Sequence, residues 1–139
     1  MDPRYIDFVT HHYVLVGLMV VLFIAFVLTE LMRSGKSVSP QSLTALVNGH
    51  NALVIDVRDP AEFKQGHITG SENVPYSRIG ERAAELKKDQ DRPIVIVCKM
   101  GQVAGSAVQQ LKAAGLTQVY KLDGGISGWK AASLPLVKK

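Results

Sequence analysis

Only one of the 139 residues is a cysteine. A single thiol cannot close an intramolecular disulfide and cannot supply the several thiolates of a multi-cysteine zinc site, so neither a disulfide scaffold nor a structural metal explains it. Charge is missing from one long stretch: residues 8–29 hold no Lys, Arg, Asp or Glu over 22 positions. Elsewhere the basic residues lack clustering. From Arg33 onward there are 15 Lys/Arg against 9 Asp/Glu, a net of +6, but they are scattered, with no dense run and no interleaved aromatics. That pattern argues against nucleic acid as a partner and for a solvated surface. No internal repeat or low-complexity tract is present.

The uncharged stretch sets the environment. As a helix rising 1.5 Å per residue it spans about 33 Å, enough for a hydrocarbon core about 30 Å thick. Its Val, Leu, Ile and Phe residues fall on every face, where a helix buried in a soluble core would keep a polar side. His11, His12 and Tyr13 suit the membrane interface. Adjacent histidines point to different helix faces, so they make a poor metal site. The leader MDPRYID is close to neutral and AFVLTELMRSG offers no small-x-small cleavage site, which predicts an uncleaved anchor. Arg33 and Lys36 follow the span, against Arg4 and the terminal amine before it. The positive-inside rule thus leans to a single pass through the inner (cytoplasmic) membrane with the C-terminal part in the cytoplasm. The expected organisation is an anchor over residues 1–33, a polar linker over 34–38 and one domain over 39–139.

Within that domain, helical and strand-like signals alternate. Ser39-Pro40 starts a helix with Gly49 as its stop. Residues 52–57 (ALVIDV) form an apolar run bounded by turn residues, as in a strand buried on both faces. Asp59-Pro60 opens a short helix ending near Gly66. Residues 77–88 read as an amphipathic helix, 94–97 (IVIV) as a second buried strand, 104–114 as a helix closed by Gly115, and 118–122 as a third strand. Asp123-Gly124-Gly125 turns into a last short helix around Trp129. Strands alternating with helices predict an α/β fold with a central parallel β-sheet flanked by helices, and in such sheets ligands bind beyond the carboxyl ends of the strands.

Cys98 sits at one of those ends, in VCKMGQVAG (residues 97–105). A strand ending at Cys98 and a helix starting near Ala104 leave a tight loop in which Gly101 supplies an unusual backbone conformation. If the loop curls around the sulfur, the N–H groups of Lys99, Met100, Gly101, Gln102, Val103 and Ala104 converge with the positive end of the helix. That cradle attracts anions and favours a thiolate over a thiol, and Lys99 adds a positive charge. The bland alternative is an inert buried thiol at the end of a strand.

The motifs decide between these. Residues 56–75 (DVRDPAEFKQGHITGSENVP) resemble the D-x-R…E-F-x-x-G-H-I-x-G-S-x-N-x-P signature of the rhodanese-like domain, and residues 97–129 resemble that family's active loop, helix, strand and final G-G-x-x-x-W. The likeness runs from about Ser37 to Leu136, and with the anchor the chain is similar to membrane-anchored single-domain bacterial rhodaneses. It implies a sulfurtransferase in which Cys98 carries a sulfane sulfur as a persulfide. The sulfur comes from a small donor such as thiosulfate or a persulfide and goes to a thiol or protein acceptor. No cofactor and no metal is implied. One cysteine suffices.

The family's loop, C-[K/R]-x-G-x-[R/T/S], is kept at Cys98, Lys99 and Gly101, but Val103 stands where an Arg would grip an anionic donor. Phosphatase and arsenate-reductase relatives use C-x5-R and would need Arg at 104; Ala104 argues against phosphoryl chemistry. Asp56 and Arg58 are expected to organise the loop's edge, with Arg58 also a candidate anion contact. His67 is expected to brace a turn. The rival to the enzyme is a non-catalytic rhodanese-fold module that binds protein at the membrane, and Val103 is the feature that favours it.

Overall fold

The computed structural model describes residues 2–33, 35–89 and 91–138. The chain divides into two units, Met1–Arg33 and Ser34–Lys139. In the first, the uncharged stretch is not one helix. Asp2 caps α1 (Pro3–His11) by accepting the Arg4 N–H, and the chain breaks at His12 before α2 (Tyr13–Arg33). Within α2, residues 13–32 are long and apolar enough to cross a membrane, and none of their side chains is buried.

The second unit begins with β1 (Ser37–Val38) and α3 (Pro40–His50). The serine–proline start behaves as expected: the Ser39 hydroxyl accepts the Ser42 N–H at 3.1 Å, leaving proline in the first turn, where no N–H is needed. The stop is different. Gly49 lies inside α3, and Asn51 takes the left-handed cap conformation at φ 53°, a role that Asn fills next best after Gly.

After β2 (Leu53–Asp56) come α4 (Pro60–Gln65), β3 (Glu72–Asn73), a 3₁₀ turn at Tyr76–Arg78, α5 (Ile79–Leu86) and a second 3₁₀ turn at Lys87–Asp89. The single amphipathic helix expected over 77–88 is thus three pieces. β4 (Ile94–Val97), α6 (Gln102–Ala113), β5 (Val119–Leu122) and α7 (Gly125–Ala131) complete the order.

The five strands form one parallel sheet ordered β1-β5-β4-β2-β3. β4 is central, with Ile94 registered against Leu53 on one side and Val119 on the other. All four of its residues are buried, as helices on both faces require. Successive strand side chains point to opposite faces. Ile94, Ile96 and Cys98 therefore pack with Ile79 and Leu86 of α5 and with Ala104, Ala107, Val108 and Leu111 of α6. Val95 and Val97 pack on the other face with Leu43 of α3 and with Ile126 and Trp129 of α7. Trp129 also donates its indole N–H to the Pro135 carbonyl at 2.9 Å, tying the C-terminal segment to α7.

Candidate active site

The loop after β4 is shorter than the sequence suggests. Gly101, at φ 99°, is already the N-cap of α6, so Gln102, Val103 and Ala104 form the first helical turn instead of a loop rim. That φ is closed to most residues with a Cβ. It folds the chain back within three residues, and the Gly101 N–H donates to Sγ of Cys98 at 2.9 Å. Gly101 has no side chain with which to cap α6, and the first-turn N–H groups have no partner within the helix itself, with its positive end behind them.

Cys98 is 4% exposed and packs against Ala104 and Ala107. Around it Lys99, Met100, Gln102 and Val103 are exposed, Gly101 is half-buried, and Ala104 is wholly buried, so the last offers the site only backbone. Val103 leaves 45% of its surface to solvent at the position where an anion-gripping side chain would stand.

The back of the loop is held by α7. The carbonyls of Cys98 and Lys99 accept from the N–H groups of Ile126 at 2.8 Å and Ser127 at 3.1 Å. These contacts were not foreseen in the sequence. The available signal was the pair of glycines after Asp123, read there only as a turn.

Asp56, buried at the end of β2, takes Arg58 through three side-chain hydrogen bonds, two from Nε at 3.0 Å and one from Nη2 at 2.7 Å. It also accepts the Arg58 backbone N–H at 3.0 Å. Nη2 reaches on to the Gly66 carbonyl at 2.7 Å. Asn73 joins this knot, donating to the carbonyls of Asp56 and Arg58. The Arg58 side chain keeps 9% of its surface and, with Lys99, Glu62 and Lys130, borders a cleft of about 210 Å³ beside the loop. Arg58 is thus first of all a brace for the backbone entering the site. His67 is a brace as well: its Nδ1 pairs with the Phe63 carbonyl at 2.8 Å, its ring stacks on Phe63 at 3.8 Å, and its backbone pairs with Val137.

Comparison with known proteins agrees with this architecture. The profile of the rhodanese-like domain family matches residues 39–132. The chain is 33% identical over 136 residues to protein YibN of Escherichia coli K12, covering 95% of each. It is 34% identical over 102 residues to the thiosulfate sulfurtransferase GlpE of Shewanella oneidensis, covering 73% of this chain and 99% of that one. Among solved structures, a rhodanese-related protein of Thermoplasma volcanium superposes with a TM-score of 0.67 at 29% identity, over 75% of this chain and 99% of its own.

Proposed function

Because the chain belongs to the rhodanese-like domain family, we propose that it is a membrane-tethered sulfurtransferase carrying sulfane sulfur on Cys98 as a persulfide. The observation that carries this reading is the Gly101 N–H held on Sγ at 2.9 Å beneath an uncapped helix N-terminus. A thiolate there has a hydrogen-bond donor and a positive field already in place, with nothing to reorganise when it reacts.

With thiosulfate as donor, the Cys98 thiolate attacks the outer sulfur. The sulfur–sulfur bond of the donor breaks, sulfite leaves with the bonding pair, and the outer sulfur remains on Sγ as a persulfide anion. Charge is conserved and no proton moves, so no general base is needed. An acceptor thiolate then attacks the terminal sulfur and returns Cys98 to its thiolate. Lys99 supplies attraction for an anionic donor, while the backbone from Met100 to Ala104 forms the cradle. Val103 contributes no charge, and Arg58 is committed to Asp56, so thiosulfate is bound weakly. The anchor is α2, in a single pass of the inner membrane with the domain in the cytoplasm. The relatives named thiosulfate sulfurtransferase support the chemistry.

The test is mass spectrometry of the purified protein after exposure to thiosulfate or a low-molecular-weight persulfide. Gain of one sulfur atom at Cys98, removable by a thiol, is expected. A thiol unmodified by every donor overturns the enzyme and leaves the second reading, a binding module at the membrane, which the apolar Val103 at the mouth favours.

A further inference from the structure

Gly124 and Gly125 both take positive φ, 72° and 58°. For Gly125 the reason lies beyond its own turn. A Cβ there would overlap the Cys98 carbonyl oxygen and meet the carbonyl carbon and oxygen of Lys99 at 2.8 and 2.9 Å. Its absence lets the first turn of α7 lie on the loop backbone, where the N–H groups of Ile126 and Ser127 reach the Cys98 and Lys99 carbonyls. Such first-turn amides have no partner within their own helix and are free to grip another segment.

A trans peptide group is planar, so a carbonyl drawn towards α7 turns the N–H of the next residue the other way. The N–H groups of Lys99 and Met100 therefore face away from α7. Sγ lies on that side, since Cys98 packs with α6 on one face of the sheet while Ile126 and Trp129 belong to the opposite cluster. A carbonyl that accepts a hydrogen bond also makes its own amide a stronger donor.

We propose that Gly125, together with the backbone N–H groups of Ile126 and Ser127, is a positioning element for sulfur transfer: α7 grips the Cys98 loop from behind and both aims and polarises the amides that face the sulfur. Its catalytic meaning rests on Cys98 carrying the sulfur. Fixed in advance, these donors stabilise charge as it passes between Sγ, the transferred sulfur and the leaving group.

Two alanine variants test this. Gly124→Ala puts a left-handed alanine next door, but its Cβ would meet Gly128 of α7 itself, at 3.1 Å from Cα, and not the loop. Gly125→Ala carries the same kind of strain and also drives a methyl group into the loop. At a temperature where both variants are folded, kcat for sulfur transfer in Gly125→Ala is expected to fall about tenfold below that of Gly124→Ala, with KM for the donor within about threefold, while the backbone overlap also lowers its melting temperature. Equal kcat values overturn the proposal. Should Gly125→Ala not fold, Ser127→Pro replaces the N–H on Lys99 with a ring carbon that pushes against the same carbonyl, breaking the grip there in a first turn that tolerates proline. An approximately three- to tenfold loss of kcat is then expected, and an unchanged kcat overturns the proposal. Alkylation of Cys98 by iodoacetamide at one fixed pH is measured in parallel. If the wild type accepts sulfur from no donor, sulfur transfer fails as a reading. Slower alkylation in Gly125→Ala than in Gly124→Ala still upholds the clamp, and equal rates overturn it.

Discussion

The Gly101 nitrogen donates its hydrogen to the Cys98 sulfur across 2.9 Å, closing a loop of four residues, 98–101, at the end of the central strand. A serine oxygen accepts the same N–H, and the swap changes little volume. Cys98→Ser is therefore expected to melt within a few degrees of the wild type and to transfer no sulfur, because an alcohol forms no persulfide. Residual turnover in a coupled sulfite assay would refute Cys98 as the carrier.

Gly101 itself is held by conformation more than by space. A Cβ there would meet Gly124 N at 3.6 Å and the Leu122 carbonyl at 3.8 Å, both ordinary contacts, but φ is 99°. Gly101→Ala is expected to cost about 1–3 kcal/mol, or roughly 5–20 °C of melting temperature in a domain of this size. Relaxation of the strain should pull the N–H off the sulfur, so alkylation of Cys98 is expected to slow as well. A variant that melts and reacts like the wild type would show that the loop is not strained there.

Val103 is 45% exposed in the first turn of α6. Val103→Arg is expected to lower KM for thiosulfate by about tenfold, since a charge-assisted hydrogen bond contributes about 1.5–3 kcal/mol and solvent at this rim takes part of it away. The cradle's backbone does not change, so alkylation by a neutral reagent should stay within about threefold. Unaltered thiosulfate kinetics would mean that the donor is gripped elsewhere, with the cleft beside Arg58 and Lys99 the next place to probe.

The Asp56–Arg58 pair is nearly sealed from water, its side chains 2% and 9% exposed. Removing one member strands the other's charge, so Arg58→Met is expected to destabilise the domain by about 3–5 kcal/mol. Denaturant melts of the single and double variants measure this. A double variant, Asp56→Asn with Arg58→Met, should recover part of the loss, and failure to recover any would argue that the Arg58 bond to the Gly66 carbonyl, not the charge pair, dominates the knot.

Residues 1–33 form a unit of their own. Deleting them is expected to leave a soluble domain with an unchanged α/β circular-dichroism spectrum, while the full chain stays with the membrane fraction through an alkaline wash. Aggregation of the shortened chain would assign the apolar helix to the fold.

Much of this architecture can be read locally. Ser39-Pro40, the apolar runs of β2 and β4, and a lone cysteine followed by Lys-x-Gly carry their signals within a few residues, because caps, continuous burial and left-handed glycines are properties of short segments. The family likeness rests on the same stretches. β1 and β3 escape such a reading. They are two residues long, with no apolar pattern, and exist only because β5 and β2 offer them partners. Nor does local sequence say that Gln102 begins α6, that Arg58 reaches forward to Gly66, or that α7 holds the carbonyls of Cys98 and Lys99. Periodicity reports which side of an element is buried; it does not report which distant backbone atom completes a hydrogen bond. Cys98 was visible as the candidate nucleophile because its chemistry belongs to one residue, whereas the grip on its loop depends on where α7, whose Ile126 lies 28 residues further along the chain, meets the end of one strand.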